Sequence, residues 1–511
     1  AGTPLRLTTD PAPDVSLIWS PDGSRLAFVR SPGARSEIIV VPALGGPERK
    51  LGTAATLGLP QYPVRQIAWA PNGRFLAVTD RNPPTGPFGV FLLSIETGEK
   101  RILLQPPAGS IGDTQPAFCP DGRTLAFVRV RGAEVSDIYV LALSAAKLAQ
   151  GEPRRLTFDE RWIGGLDWMP DSRSIVFSSN RAGNYNLWKI SAAGGTPEPL
   201  PLVGDGAQWP SVSPRSPTAP RRVAYSQPVV DANIWRAPGP AGTAKQEGAP
   251  QGLISSTWED AYPQFSPDGR KIVFESSRSG AEEIWVCDSD GSSPVQLTSS
   301  RGPRTAHPRW SPEGRRIAFD SVVEGQRDIF VLGVEGGGAP RRVTTEPSYD
   351  TRPSWSRDGR WIYFGSNRSG DFQVWKAPIG PEGAAGSAVQ VTRKGGREAF
   401  ESVDGKLVFY VKAEAGAPAA GIWMVPVEGG EETEVIGAGT QGYWALLDKG
   451  LCLIRLKTAA GPTLEFFDFA TRRLKTLRVF PKTVTLGAGL CVSPDGRWIL
   501  YTQVDLSLIH I

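Results

Sequence analysis

The sequence predicts an all-β chain built as a β-propeller, with eleven four-stranded blade-type repeats divided between two propellers in tandem. Three observations predict it. The stretch "FSPDGRKIVFESSRSG" at residues 265–280 returns, little changed, as "WSRDGRWIYFGSNRSG" at 355–370. Its turn recurs along the whole chain at intervals of about 43 to 54 residues, the period of propeller blades. The 58 glycines and 46 prolines fall between apolar runs, which fits many tight turns rather than disorder.

Within one unit, Ser266-Pro267-Asp268-Gly269 has the residues of a type I turn followed by a left-handed glycine. Lys271-Ile272-Val273-Phe274 is β-branched and aromatic without clean alternation, so it reads as a strand buried on both faces. Arg278-Ser279-Gly280 makes a second turn and Glu283-Ile284-Trp285-Val286 a third strand. Asp288-Ser289-Asp290-Gly291 turns again before Val295-Gln296-Leu297-Thr298. The product is an antiparallel meander of roughly 45 residues.

The first turn of the unit recurs at Ser20-Pro21-Asp22-Gly23, Ala70-Pro71-Asn72-Gly73, Cys119-Pro120-Asp121-Gly122 and Met169-Pro170-Asp171-Ser172. A worn copy stands at Ser213-Pro214-Arg215-Ser216, and later ones at Asp268-Gly269, Glu313-Gly314, Asp358-Gly359, Asp404-Gly405, Asp448-Lys449 and Asp495-Gly496. One meander cannot bury both faces, but a ring of them can. The aromatics before the turns (Trp19, Trp69, Phe118, Trp168, Phe265, Trp310, Trp355) read as the core between blades.

One closed ring of eleven blades exceeds the usual range, so two propellers are expected, at 1–240 and 253–505. The stretch "APGPAGTAKQEGAPQG" at 237–252 is the candidate crossing between them. "LRLT" at 5–8 matches the fourth-strand pattern, so the sequence opens in mid-repeat and a strand from each end could complete one blade. The final "LSLIHI", 506–511, breaks the pattern and reads as a non-native tail.

A net charge of +4 over 511 residues, without clustered basic charge, gives no reason to expect nucleic acid bound by this chain. The paired bases Arg154-Arg155 and Arg341-Arg342 precede fourth strands and read as charge that protects outer edges. No run of eighteen apolar residues occurs, so a membrane is reached only through a helix outside this sequence.

Chemistry is sparse. There is no G-x-S-x-G elbow, phosphate loop, H-E-x-x-H or kinase motif set. Apart from His510 in the suspect tail, His307 is the one imidazole, and sister units carry Tyr262, Arg352 and Gln115 at its position, so a catalytic role is not expected. Cys119, Cys287, Cys452 and Cys491 lie inside strand patterns and read as buried small hydrophobes. Asp288-Ser289-Asp290-Gly291 lacks the rest of a calcium loop and reads as a turn. No cofactor and no metal are expected.

The connections into each first strand are more informative: "SSTWEDAYP", "SSRGPRTAHP", "TTEPSYDTRP" and "TRKGGREAF". They mix aromatic and charged residues, and loops on a rigid scaffold are where function concentrates. Trp258, Asp260, Tyr262, Arg304, His307, Tyr349, Asp350, Arg352 and Arg397 are therefore the candidate contacts for a protein or peptide partner. Solvated connectors that contribute little to the blade core are the alternative.

The pattern Phe265-Ser266-Pro267-Asp268-Gly269-Arg270, continued by Arg278, Gly280, Trp285 and Leu297-Thr298, resembles the propeller repeats of the TolB family, and the likeness runs along essentially the whole chain. "ERKLG", "FFDFATRRLKTL" and "VSPDGRWILYTQVD" resemble the repeat arrays of bacterial regulators in which a CadC-type winged helix, or a Ser/Thr kinase, precedes one membrane helix. That resemblance implies a non-catalytic binding or sensor module, periplasmic or otherwise extracytoplasmic, with an effector domain and about 20 apolar residues encoded upstream. Two alternatives stand beside it: a TolB-like periplasmic scaffold, and the propeller of a prolyl-oligopeptidase-like peptidase whose hydrolase domain lies downstream. A cytoplasmic interaction module is the alternative on location.

Overall fold

The structure, a computed structural model, describes residues 6–31, 35–56, 65–107, 109–132, 135–159, 161–182, 184–201, 203–204, 206–213, 222–241, 249–299, 304–323, 326–334, 338–380, 386–412, 421–456, 458–481 and 483–510, with the backbone alone at 228–230 and 506–510. Among the described residues every regular element is a strand, and most strands form four-stranded antiparallel meanders, two of which, at 67–104 and 112–155, are joined by a parallel pairing of Phe88 with Gly112. The turn that starts each meander has the chemistry its sequence asks for. The Gly269 amide donates to the Ser266 carbonyl at 2.9 Å, the Ser266 hydroxyl caps the Lys271 amide at 2.9 Å, and Gly269 has φ +71°. The worn turn at 213–216 lies outside the described residues from 214 onward.

The chain forms two compact units, 1–228 with 509–511, and 229–508. The first contains sheets at 14–55, 67–104, 112–155 and 163–199, followed by strand Gln208–Val212 paired with the first half of Val223–Pro238. Three of the aromatics before a turn pack on the preceding sheet: Trp69 clusters with Val29 and Val40, Phe118 with Ala77 and Val90, and Trp168 with Ala117 and Ala126.

The second unit holds six sheets, here called blades 1 to 6. Blades 1 to 5 span 260–296, 305–342, 350–390, 399–436 and 444–479. Blade 6 is assembled from both ends of the unit. Thr485–Val492 and the strand starting at Trp498 are its inner strands, the second half of Val223–Pro238 is its third, and Gln251–Ile254 its fourth. A ring must share one apolar core across every junction, and six such cores are present. Phe319 of blade 2 packs with Val273 of blade 1, Phe364 of blade 3 with Ala318, and Tyr410 of blade 4 with Tyr363. Trp444 of blade 5 packs with Val411, and Tyr501 of blade 6 with Cys452. The cycle closes where Leu500 and Ile234 of blade 6 meet Phe265 and Phe274 of blade 1.

This closure differs from the sequence expectation. The last repeat lacks a third strand as well as a fourth, so one terminal strand could not complete it. Residues 229–254 supply both, burying Ala232, Ile234, Ala237 and Ile254. The stretch 237–252 thus joins two strands of one sheet, with 242–248 outside the described residues, and the compact units divide at 228/229. Residues 6–8 of "LRLT" belong to no strand, and the backbone of 506–510 continues the strand that starts at Trp498. The paired bases also do more than guard edges. Arg155 bonds Asp137 at 2.8 Å, and Arg342 bonds Asp328. All four cysteines are buried and free.

Candidate binding site in the ring of the second unit

The first strand of each blade runs along the centre of the ring, and in blades 1, 2 and 3 its start is bulged. The pairing register shifts between Ala261 and Gln264, Ala306 and Arg309, and Thr351 and Ser354. The residue at each shift precedes a proline and has positive φ: Tyr262 at 50°, His307 at 55° and Arg352 at 56°. Non-glycine residues rarely adopt this conformation, and bulges of this kind re-aim a side chain. The bulge also frees an amide that the ladder cannot use. A carboxylate of the preceding blade takes it for two of them: Glu275 accepts from the His307 amide at 3.1 Å, and Asp320 from the Arg352 amide at 2.8 Å. Glu398 does the same for the Gly442 amide at 2.8 Å.

The three re-aimed side chains meet across the channel. Arg352 donates from Nη2 to the Tyr262 hydroxyl at 3.2 Å, although blade 2 lies between their blades. On its other side the Tyr262 ring lies against Gly442 of blade 5, where an added Cβ would come within 3.3 Å of Cε1. Tyr262 thus touches blades two steps away in both directions, which places it across the axis. Its ring packs edge-on against His307, with centroids 4.5 Å apart. The result is a polar plug.

His307 is the most constrained member. Burial drives its pKa down to about 3, with Arg352 and Arg304 acting in the same direction and Asp320 opposing them. The imidazole is neutral, and the network assigns its proton to Nδ1, which donates to Asp320 Oδ2 at 2.7 Å. Burial alone would raise the Asp320 carboxyl, but His307, Arg327 and the Arg352 amide outweigh it and hold it below the usual carboxylate range. His307 Nε2, left as an acceptor, is buried without a partner.

Behind the plug, toward the Ser-Pro-Asp-Gly turns, the channel widens into a cavity of about 500 Å³ lined by all six blades. Phe265, Trp310, Trp355, Phe400 and Trp444 are among its walls, and Pro267, Pro312, Val403 and Pro494 lie at the turn end. Two residues after the bulge, Gln264 and Ser354 bridge to the next blade, Gln264 accepting from the Trp310 amide at 2.6 Å and Ser354 donating to the Ala399 carbonyl at 2.6 Å. Arg309 holds the corresponding place in blade 2 and is used differently, reaching Glu398 at 3.6 Å.

The nine sequence candidates separate into four sets. Tyr262, His307 and Arg352 come together in the plug. Asp260 and Asp350 are buried in ion pairs with Arg278 and Arg368, each at 2.7 Å. Around them, Arg304 pairs with Glu282 at 2.7 Å, Arg397 stacks on Phe372 at 4.0 Å, and Tyr349 meets Phe372 edge-on at 5.9 Å. Trp258 alone is substantially exposed, at 39%. The reading of these residues as solvated connectors with little part in the core therefore fails for Asp260, Tyr262, Asp350 and Arg352, because each satisfies a buried partner.

Sequence reasoning missed Glu275, Arg309, Asp320 and Glu398. A signal existed for two of them. Glu275 and Asp320 each interrupt the apolar second strand between a Phe and a Ser, where Val29 and Val128 stand in the first unit.

Cyclic four-stranded sheets around a lined channel define a β-propeller. The TolB beta propeller domain family matches residues 60–219 and 296–442, and the chain belongs to that family. Among its relatives, Agrobacterium fabrum protein Atu1656 is 28% identical over 267 residues, covering 50% of this chain and 82% of the relative. The Bacillus subtilis peptidase YuxL is 35% identical over 170 residues, 33% of this chain and 22% of that protein, so the match spans about a fifth of the peptidase. TolB from Acinetobacter baumannii shares 14% identity at a TM-score of 0.39, over 74% of this chain and 79% of that one.

Proposed function

We propose that the chain is a non-catalytic binding module. The cavity closed behind by the Tyr262–His307–Arg352 plug takes a small ligand, and the opposite, loop-bearing face around Trp258 takes a protein or peptide partner. The observation that carries this is the cavity itself. Its volume falls in the range of small-molecule sites, and all six blades contribute walls, so a ligand there would contact the whole ring. His307 supports binding over turnover, since its imidazole is committed to Asp320 and held neutral far below its ordinary range. In the finer form of this reading the module is the extracytoplasmic, sensing part of a membrane-anchored transcriptional regulator or kinase. A TolB-like periplasmic scaffold is the alternative to it.

Thermal-shift screening of the full chain against a metabolite library, with peptide and ester substrates assayed in parallel, tests it. Stabilisation by at least one compound without turnover is expected. Turnover abolished by His307→Ala would replace the binding reading with an enzymatic one. The similarity to peptidase YuxL favours a second reading, in which this propeller serves a hydrolase domain. The complete reading frame decides it: a G-x-S-x-G elbow downstream supports the peptidase, and a membrane helix with a winged helix or kinase upstream supports the regulator.

A further inference from the structure

We infer that the cavity binds a small organic acid, a carboxylate on a flat apolar body, with its oxygens on Arg309 and its body against the aromatic walls. The inference rests on the binding reading above and names the chemistry of its ligand.

Charge supplies the first argument. Two guanidiniums, Arg309 and Arg352, approach one carboxylate oxygen, Glu398 Oε1, at 3.6 and 3.5 Å. The other oxygen, Oε2, is occupied by the Gly442 amide and the Trp444 indole N–H, both at 2.8 Å. One negative charge therefore answers two buried positive ones. The neighbouring carboxylate Asp320 is already matched by Arg327. Glu275, on the other side, faces Arg304, which also holds Glu282. In the cavity wall Glu401 is drawn toward its neutral form by burial, and Arg357 and the exposed Asp448 lie near the turns. The surplus charge at the deep end is Arg309's.

Unused donors supply the second. The hydrogen bond found for the Arg309 guanidinium is a long one, Nη1 to the Pro308 carbonyl at 3.3 Å, out of five N–H donors in a planar fork. A carboxylate matches that fork with two parallel bonds. Beside it, Trp310 lines the same cavity with its indole N–H buried and unpartnered. Of its counterparts, Trp168 and Trp355 donate theirs to carbonyls of the preceding sheet, at 3.0 and 3.1 Å, while the Trp69 indole in the first unit is unpartnered as well. The walls select the rest of the ligand, since aromatic faces take flat apolar bodies. The plug keeps the ligand short, because nothing can thread past Tyr262.

The test uses the full chain and calorimetric titration with phenylacetate, indole-3-acetate and cyclohexanecarboxylate, each beside its neutral amide. At least one acid should outbind its amide by about tenfold to a hundredfold, the worth of a hydrogen bond to a charged group. Arg309→Gln should level the pair. Glu398→Gln, which keeps an acceptor for Gly442 and Trp444, should widen it. A panel in which no acid outperforms its amide overturns the inference, as does a preference that survives Arg309→Gln. Should Arg309→Gln fail to fold, unchanged or weaker acid binding in Glu398→Gln overturns it alone. A free C-terminal tetrapeptide ending in Phe that binds as tightly as the acids would reassign the site to a chain terminus. Failure of the acids while another library class stabilises the chain sinks this inference and leaves the binding reading standing. Failure of the whole library sinks both.

Discussion

Trp19 and Trp355 occupy the same place in the repeat, one residue before a Ser-led turn, yet Trp19 is 58% exposed and Trp355 is 7% exposed. The difference lies in what precedes each sheet. Trp355 clusters with Ala318, Ile329 and Val331 of the blade before it. Trp19 ends the first strand of the first described sheet, and the one-sided cluster of that sheet, Leu26, Phe28, Ile39 and Val41, contains no residue from another. Val15 and Leu17, alternate residues on the same strand, are exposed with it. A repeat's aromatic is therefore not stabilising in itself. Its contribution comes from the neighbouring repeat, the nearest-neighbour rule of modular folds.

The largest effect tests that rule directly. Trp355→Ala should cost about 3–5 kcal/mol, the range for deleting a buried aromatic, whereas Trp19→Ala should stay within about 0.5 kcal/mol as a surface change. Denaturant titration of the full chain, with hydrogen exchange to tell the units apart, reads both. Equal costs would mean that the Trp19 face is covered in solution, and the contrast would be lost.

A second contrast concerns the middle of the second strand. Asp320 of blade 2 holds His307, Arg327, Thr351 and the Arg352 amide, whereas the first sheet has Val29 at that position. Transplanting the apolar residue, Asp320→Val, should cost about 3–5 kcal/mol, because it breaks the buried ion pair with Arg327 and leaves the His307 Nδ1–H and the Arg352 amide without this acceptor. A cost under about 1 kcal/mol, with hydrogen exchange in blades 2 and 3 unchanged, would mean the plug does not depend on this carboxylate.

How much of this was legible follows from the same contrast. Turns, strands and inter-blade aromatics depend on local chemistry, so Ser266 to Gly269 and Trp310 could be placed from residues alone. The variability at Tyr262, His307, Arg352 and Gln115 argued against a catalytic role for His307, while three of the four stood among the candidate contacts. In the structure these are bulge positions, Tyr262, His307 and Arg352 face the ring axis, and a repeat can vary what it aims there without disturbing its sheet. Ring closure by residues 229–254 was not legible, because it joins segments some 250 residues apart and no local signal encodes a partner. The acidic interruptions at Glu275 and Asp320 were visible, but their meaning required knowing which amide of the next blade they face.

Smaller effects come from pH, and two neighbours in the ring should pull in opposite directions. His307 has a folded pKa of about 3 against an ordinary 6.5. Between those values the unfolded chain takes up a proton that the folded chain refuses, so stability falls as pH drops from 6.5 toward 3. Burial pushes Glu275 up to about 8 from an ordinary 4.5. Its contribution is complete below pH 4.5 and is lost as pH rises toward 8. His307→Asn should flatten the acid limb of the stability profile, and Glu275→Gln the limb from pH 4.5 to 8, each in the second unit alone. A profile indifferent to both substitutions would mean that these groups are hydrated in solution.

The smallest effect is one on which the two units should agree. Gly23 and Gly269 close the same turn with φ of 70° and 71°. A Cβ at Gly23 would meet nothing within 4 Å, and one at Gly269 would reach only ordinary contact with Pro494, at 3.7 Å. The cost of alanine at either position is therefore conformational, about 1–2 kcal/mol for a left-handed residue with a side chain. Because the ring plays no part in it, Gly23→Ala and Gly269→Ala should lose the same amount, each in its own unit's unfolding. A branched residue, as in Gly269→Val, should cost at least as much, since a second substituent on Cβ resists that conformation further. If Gly269→Ala proved several-fold more costly than Gly23→Ala, the turn would be drawing on its neighbours as the tryptophans do. The division between what a repeat encodes locally and what it borrows from the next blade would then have to be redrawn.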